Sequence, residues 1–582
     1  MEAGRHGEAR MKILCLDPEC QPLNGKWAAE RWDRVVDLGF AGKVARDQWS
    51  AAFECAVETV PKLEADGFAR MRQVLSEGLG HVVDQYGLDW WELISIWFHE
   101  QIELIIRLEK LAASMPENSE LFVTRTGIHA EILSSLQGRS IRCFSTPNSI
   151  LHRTGHICST ARNFNVSQLL RIIGDKYDAG YELRRFLTHR LVQAQGEIVL
   201  LPVAHVTAAR MAVAYAAMLR RRKFLLVSTR HSGWISERPQ NVAAAKLAAY
   251  AHTKVDDQEY RDLLANWRRL ESDLTKTTEL KVLTGLGTFA NIPKLLRNGL
   301  AIRNAWLRVF AHERVSAVFC TDNTNPYTHI PLLLARRRKL PTIACHHGAL
   351  DGGYLFKRSH ADVVLAKGRM EWDYLVDRCA VPDEKVELGA YAIRRQREFA
   401  SAAEKPSIIF FSEPYELDYG RTQQIYAEVL PRLAEMARSM NRELVVKLHP
   451  MERVRERKKL VNATLSAPQR SRVKVIAGSL SEELLERVFF AVTVQSTAAV
   501  DCTIRGIPTF LCAWLDYSRY GYLEQFVKFG AGFPLHSPSE IAELPRLLES
   551  FSPVHIPNLW QTIAAEKLDQ LLTGPLTMAA AG

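Results

Sequence analysis

The chain of 582 residues lacks the sequence motifs of several common enzyme classes. It has no Walker P-loop, no GxGxxG after its first predicted strand, no HExxH and no GxSxG. NTPase, dehydrogenase, zinc-hydrolase and α/β-hydrolase functions are therefore without motif support. Ten cysteines are scattered, with neither a CxxC pair nor zinc-ligand spacing, and we expect them to be small buried side chains in a reducing compartment.

Long apolar segments are also lacking. The N-terminal MEAGRHGEARMKILCLD has no apolar core of signal-peptide length, and no window approaches the length of a membrane span. We therefore expect a cytoplasmic protein. The net charge of +10 fits anionic substrates, or peripheral contact with the inner face of the membrane, and gives no reason to expect nucleic acid.

The composition that is present, 47% hydrophobic and 24% charged, indicates a globular chain that is too long for a single core. Short apolar strands alternate with helices, which is typical of doubly wound α/β sheets. The first part is predicted to have strands at 12–17, 34–40, 121–125, 141–145, 198–202, 224–228, 315–321, 342–345 and 363–366. Helical insertions are predicted at about 46–115 and 240–313.

A polar segment near 395–405 predicts a domain boundary. We expect an N-terminal Rossmann-like domain over residues 1–395 and a C-terminal one over 396–582. The second begins with a strand at Ile408–Pro414, and its α/β unit ends near Phe533. Its last helix, Leu559–Leu572, is expected to cross back over the first domain.

One motif lies between Val488 and Cys512. A buried strand is followed by a tight turn with two hydroxyls, Ser496 and Thr497, and then by a short helix that ends before Gly506. Backbone N–H groups, hydroxyls and the positive end of the helix dipole then converge where an anion such as a phosphate is favoured. The alternative is that either hydroxyl is only a helix N-cap.

A second motif is LVVKLHP, an apolar strand that ends in Lys447 and is followed by His449 and Pro450. Ligands of open α/β sheets bind outside the carboxyl ends of the strands. Lys447 and His449 therefore share an edge with Ser496 and Thr497 if both strands belong to one parallel sheet.

These motifs, together with LPTIACHHGALDGG, resemble those of GT-B glycosyltransferases that make capsule and wall-teichoic polymers from CDP-glycerol or CMP-sugar donors. The matching positions are His347-Gly348, Lys447-Leu448-His449-Pro450 and Ser496-Thr497, within about 315–534. The resemblance implies two Rossmann-like domains that face a central cleft, and a nucleotide-activated donor. It also implies that neither a metal nor an organic cofactor is required.

The resemblance also implies roles for single residues. Lys447 and His449 would face the donor phosphates, and Ser496 and Thr497 would hold phosphate oxygens, stabilising the departing nucleotide. His347 would be the general base that takes the proton of the acceptor hydroxyl; the alternative is a histidine that only supports its own loop.

The remaining candidates are less specific. Gly348 allows a close backbone approach to the cleft. Glu413 follows a strand and could contact donor hydroxyls, and Glu483 is a candidate for the ribose. Asp322 follows a strand of the first domain and is the second candidate base; with its neighbours it could also bind the acceptor or a metal, or simply form a turn.

The sequence therefore predicts a glycosyltransferase that moves a sugar or polyol-phosphate from a cytidine nucleotide to a surface polysaccharide or lipid-linked acceptor. Two alternatives stay open. One is an enzyme that uses a UDP-sugar, either a GT-B transferase or a 2-epimerase. The other is a non-catalytic partner in a polysaccharide assembly complex.

Overall fold

The computed structural model describes most of the chain. The described residues are 10–137, 141–144, 196–393 and 406–574, except 19, 21, 40, 231–232, 252–254, 324, 416–421, 479, 516–519 and 550–557. Within them every sheet is parallel, and the predicted α/β class is confirmed.

The first sheet has five strands in the order β3-β2-β1-β4-β5. Its strands are β1 Lys12–Leu16, β2 Arg34–Asp37, β3 Val57–Thr59, β4 Glu120–Val123 and β5 Arg142–Cys143. The α-helices along residues 12–143 of the chain are Lys43–Phe53, Ala65–Ser76, Trp90–Ser95, His99–Ala113 and Ile128–Gln137. The predicted continuous helical stretch from 46 to 115 is wrong in one respect, because it contains β3, which has only three residues.

The second sheet has seven strands in the order β12-β11-β10-β9-β6-β7-β8. They are β6 Glu197–Val203, β7 Phe224–Ser228, β8 Val242–Lys246, β9 Arg314–Cys320, β10 Thr342–Cys345, β11 Val363–Ala366 and β12 Val386–Leu388. Its α-helices are Val206–Met218, Asp257–Leu274, Thr278–Gly285, Ile292–His312, Pro326–Arg337 and Arg369–Asp373. The helical insertion predicted at about 240–313 is wrong at its start, because residues 242–246 form the alanine-rich strand β8, which pairs with β7.

The third sheet has six strands in the order β15-β14-β13-β16-β17-β18. They are β13 Ser407–Phe411, β14 Glu443–Lys447, β15 Val473–Ile476, β16 Val488–Thr493, β17 Thr509–Cys512 and β18 Phe533–Leu535. The α-helices that follow β13 are Thr422–Ser439, Val454–Thr464, Ala467–Arg470, Glu482–Glu486, Ala498–Thr503, Tyr522–Lys528, Leu544–Glu549 and Ala565–Thr573. Gly506 has the positive φ of 69° that favours glycine just after a helix.

The described residues group into two compact units. The first is drawn from 1–64, 104–152 and 395–556, and holds the first and third sheets. The second is drawn from 65–103, 153–394 and 557–582, and holds the second sheet. Grouping of the first sheet with the third was not predicted. The predicted boundary segment 395–405 lies outside the described residues.

Central strands are apolar on both faces, as expected for parallel sheets covered by helices. All four residues of β10 and all five of β13 are buried. The last helix, Ala565–Thr573, places Leu568 and Leu572 in the core of the second sheet. No helix among the described residues has the length and apolarity needed to cross a bilayer.

Candidate functional site

Three neighbouring strands of the second sheet end in chemically active side chains. His205 follows β6, Asp322 follows β9 and His347 follows β10, and β9 lies between the other two strands. Because the strands are parallel, the three residues meet at one carboxyl edge, where ligands bind in open α/β sheets. The two predicted catalytic residues, Asp322 and His347, are thus brought together.

The three side chains form a tight cluster. His205 Nε2 lies 3.3 Å from Asp322 Oδ2. The ring centroids of His205 and His347 are 4.3 Å apart, with the rings at 75°. One ligand atom from each of the three residues lies within 4.8 Å of the other two. We call His205, Asp322 and His347 the edge triad.

Burial and mutual charge set the protonation of the edge triad. Burial, assisted by the neighbouring His346 and His205, lowers the pKa of His347 well below its usual value. Burial alone would raise the pKa of Asp322, but the contact with His205 and the nearby positive charges outweigh it and lower that pKa. At neutral pH the triad therefore contains a neutral His347 beside an ionised Asp322.

Two buried atoms of the triad have no hydrogen bond within the described part of the chain. They are His347 Nδ1 and Asp322 Oδ2, although Asp322 Oδ2 keeps its 3.3 Å electrostatic contact with His205 Nε2. Asp322 as a whole is only 3% exposed. A buried polar atom without a hydrogen bond costs about 1–3 kcal/mol.

His346 is held by its own loop, unlike His347. Its Nδ1 accepts the backbone N–H of Gly348 at 3.1 Å, and its Nε2 lies 3.6 Å from Asp351 Oδ2. Lys367, after β11, donates to the carbonyl of His346 at 2.8 Å and pairs with Glu371. The loop-supporting role considered for His347 therefore belongs to His346, and the Gly348 N–H is used inside the loop.

The loop after β9 is fixed by a polar network. Lys357 donates to the carbonyl of Asn323, and the Asn323 side chain lies 2.6 Å from His329 Nδ1. Burial lowers the pKa of Lys357 to about 8. Asn325 only caps the helix Pro326–Arg337 by accepting the N–H of Tyr327. The turn-forming alternative describes the backbone of Asp322, whose carbonyl accepts the N–H of Asn325 at 3.3 Å. The Asp322 carboxylate is not part of that turn and lies against His205.

His205 was missed in the sequence analysis. It directly precedes the helix Val206–Met218, and its Nδ1 accepts the N–H of Ala208 at 3.5 Å. The sequence offered one indication, because His205 lies two residues beyond the end of an apolar strand, as His347 does. This position predicts a contact with Asp322 only once β9 is known to lie between β6 and β10.

The predicted donor residues lie along the carboxyl edge of the third sheet. The strands β14, β13 and β16 are neighbours, and Lys447, Phe411 and Thr493 are in register at their ends. The condition stated for the two motifs, that their strands share one parallel sheet, is confirmed. With strands about 4.8 Å apart, the ends of β14 and β16 are about 10 Å apart.

Lys447 and the loop after β14 are tied into a buried network. Lys447 Nζ donates to the carbonyls of Leu448 and Gly478, at 2.9 and 2.7 Å. Glu452 accepts the N–H of His449 at 2.7 Å, the hydroxyl of Ser412 at 2.6 Å and Arg457 Nε at 2.6 Å. This network holds the His449 loop against the end of β13.

The hydroxyl turn after β16 has the predicted form. The Ser496 hydroxyl accepts the N–H of Ala498 at 3.3 Å, and the N–H of Ser496 donates to Thr493 Oγ1 at 3.2 Å. Thr497 is the residue before the helix Ala498–Thr503, and its side chain makes no capping hydrogen bond. Ser496 thus contributes to capping, as the alternative proposed, while its own O–H remains a potential donor.

The two remaining candidates for contacts with the donor nucleotide, Glu413 and Glu483, differ in burial and in position. Glu413 is buried at the end of β13, between the loops that carry His449 and Ser496. Glu483 is exposed on the helix Glu482–Glu486, which connects β15 to β16. The structure thus brings Glu413 to the edge of the third sheet with Lys447, His449, Ser496 and Thr497, and gives Glu483 no described contact with them.

Part of the chain matches a known family model. Residues 341–514 match the family model described as "Putative glycosyltransferase (DUF6716)". This agrees with the predicted enzyme class, and the matched segment begins just before β10 and ends beyond β17. No curated protein matches the chain.

Solved structures similar to the chain include epimerases and glycosyltransferases. The UDP-GlcNAc 2-epimerase of Methanocaldococcus jannaschii has 9% identity and a TM-score of 0.40, over 65% of this chain and 99% of its own. MurG of Acinetobacter baumannii has 12% identity and a TM-score of 0.37, over 65% and 99%. The calicheamicin glycosyltransferase has 11% identity and a TM-score of 0.34, over 65% and 94%. At such scores the similarities carry no argument about activity.

Proposed function

We propose that the protein is a GT-B glycosyltransferase that moves a sugar or a polyol-phosphate from a cytidine nucleotide to a surface polysaccharide or lipid-linked acceptor. One observation carries the proposal. The segment that matches the glycosyltransferase family model, residues 341–514, contains His347 together with Lys447, His449, Ser496 and Thr497. The cytidine base and the class of acceptor come from the sequence resemblance.

The third sheet would bind the donor. Its edge offers the His449 and Ser496 loops about 10 Å apart, with Glu413 between them. Side chains that reach inward from loops at this spacing can contact neighbouring phosphates of one nucleotide. Two of the three N–H groups of Lys447 are used by carbonyls, so one is left for a phosphate oxygen.

The edge triad would handle the proton of the acceptor. The acceptor hydroxyl must lose its proton as its oxygen attacks the donor carbon or phosphorus, and the bond to the leaving nucleotide breaks. His347 has the unpaired Nδ1 that this step requires, and Asp322 is the second candidate base. His205 would keep Asp322 ionised and oriented through the 3.3 Å contact. No metal or organic cofactor is part of this proposal.

A thermal-shift screen of CMP, CDP, UDP, GDP and ADP tests the donor. A ligand that binds only the folded state at 100 times its Kd stabilises it by about 2.7 kcal/mol. We expect CMP or CDP to give the largest shift. A selective shift by UDP would replace the cytidine donor with a UDP-sugar, as in the alternative transferase or 2-epimerase, and the absence of any shift would favour a non-catalytic partner.

A further inference from the structure

We propose that the edge triad is also a binding site for a divalent transition-metal cation, with Zn²⁺ as the reference ion, and that the bound cation inhibits transfer. The inhibition rests on the proposed function, whereas the binding does not. The site is built from three side chains on the loops after β6, β9 and β10.

The geometry is close to that of a metal site. A tetrahedral zinc ion with ligand distances of about 2.0–2.2 Å holds its ligand atoms roughly 3.3–3.5 Å apart. His205 Nε2 and Asp322 Oδ2 are already 3.3 Å apart, and one ring nitrogen of each histidine and a carboxylate oxygen of Asp322 lie within 4.8 Å of one another. Small rotations of His347 would complete three corners of the tetrahedron.

The ligand atoms are also available. Asp322 Oδ2 and His347 Nδ1 are buried without a hydrogen-bond partner among the described residues, and Asp322 is 3% exposed. Loading Nε2 of His205 would move its proton to Nδ1 and sacrifice the contact with the N–H of Ala208. That contact is 3.5 Å long, at the weak limit of a hydrogen bond, so little is lost.

The donor set selects the class of cation. Two imidazoles and one carboxylate suit Zn²⁺, Co²⁺, Ni²⁺ or Fe²⁺, and the fourth position is left for water. Mg²⁺ and Ca²⁺ prefer oxygen ligands and are not expected to bind. A metal bound through His347 Nδ1, the nitrogen without a hydrogen-bond partner among the described residues, occupies the lone pair that proton transfer needs. The loaded protein is therefore expected to be inactive until the metal is removed.

The test uses the full chain after treatment with a chelator and its removal. Co²⁺ titration should give the visible absorption of a four-coordinate His/carboxylate site at one equivalent, and Zn²⁺ should displace it, whereas Mg²⁺ should not. Asp322→Asn and His205→Ala should each weaken Co²⁺ binding at least tenfold, since even changes behind the ligands cost about 10–100-fold. His205 is partly exposed, so His205→Ala is expected to fold.

The control is His81→Ala, which removes an exposed histidine outside the triad and should leave the titration unchanged. Unaltered Co²⁺ spectra in both triad variants, or no spectrum in the wild type, would overturn the inference. A triad-dependent spectrum in a protein without transferase activity would uphold the site while rejecting the proposed function. Transfer that continues at full rate with Zn²⁺ bound to the triad would overturn the inhibition.

Discussion

The carboxyl edges of the second and third sheets are built on the same parallel architecture but differ in how their polar groups are satisfied. At the second sheet, Asp322 Oδ2 and His347 Nδ1 are buried without hydrogen-bond partners among the described residues. At the third sheet, Glu452 accepts three hydrogen bonds and Lys447 donates two, and the buried acceptor just beyond β16 without a partner in the described part of the chain is a neutral amide oxygen, Gln495 Oε1. Buried networks fix loops at both edges. The groups left open at the second sheet, an imidazole and a carboxylate, can accept a proton, whereas an amide oxygen cannot. We infer that proton transfer takes place at the edge of the second sheet and that the donor nucleotide binds at the edge of the third.

The largest expected effect is that of His347→Ala on turnover. A positioned acid–base group contributes about 10²–10⁴-fold, which is about 2.7–5.5 kcal/mol of barrier. Turnover should fall by that factor, while nucleotide affinity measured by calorimetry stays close to the wild type. The matched control is His346→Ala, whose ring contacts its own loop.

Two outcomes would count against this assignment. If His346→Ala abolishes turnover and His347→Ala does not, the wrong histidine has been chosen. If both variants remain fully active, Asp322 becomes the candidate base.

The next largest effect concerns the buried network at the edge of the third sheet and is a loss of stability. Glu452→Ala removes the acceptor of Arg457, Ser412 and the His449 N–H, and leaves a buried arginine without this partner. Breaking a buried ion pair in this way costs about 3–5 kcal/mol. Thermal unfolding followed by circular dichroism should therefore show a clear loss of stability.

Glu435→Ala is the contrast for this variant. Glu435 pairs with Arg438 on the exposed side of the helix Thr422–Ser439, with about half of each side chain exposed. Exposed pairs of this kind contribute little, and we expect no measurable change in unfolding temperature. Equal losses in Glu452→Ala and Glu435→Ala would refute the idea that the third edge depends on its buried network.

A smaller effect, on nucleotide affinity, is expected when one side chain proposed to contact the donor nucleotide is removed. His449→Ala and Ser496→Ala each remove a candidate contact to a phosphate oxygen. Charge-assisted hydrogen bonds contribute about 1.5–3 kcal/mol, so nucleotide affinity should fall roughly ten- to a hundredfold. Titration calorimetry with CDP measures it, with Lys474→Ala, which changes an exposed residue of β15 in the same sheet, as the control. Unchanged affinity in both folded variants would remove the donor from this edge.

The sequence predicted most of the sheet architecture, because the buried strands are continuous apolar runs. Phe224–Ser228, Thr342–Cys345 and Val363–Ala366 were predicted with the bounds they have. The strand β3 is too short to show a pattern, and β8, VAAAK, is rich in alanine, which is a better helix former than strand former. Local composition therefore misassigned both.

The candidate site was only partly predictable. His347 and Asp322 stood out because each follows an apolar strand in a polar loop. Their contact with His205 depends on β9 lying between β6 and β10, although helices and two strands separate β6 from β9 in the chain. Strand order is decided by crossover connections and packing, which the residues near His205 do not encode. The grouping of the first sheet with the third is hidden from local patterns for the same reason.

Hydrogen exchange with and without CDP tests the division between the two edges most directly. Our account predicts that CDP slows backbone exchange in residues 411–415, 447–452 and 494–498, at the ends of β13, β14 and β16. It predicts no slowing in residues 345–350 or around Asp322 in the absence of an acceptor. Protection of the 345–350 loop by CDP alone, with the third-sheet loops unchanged, would contradict it.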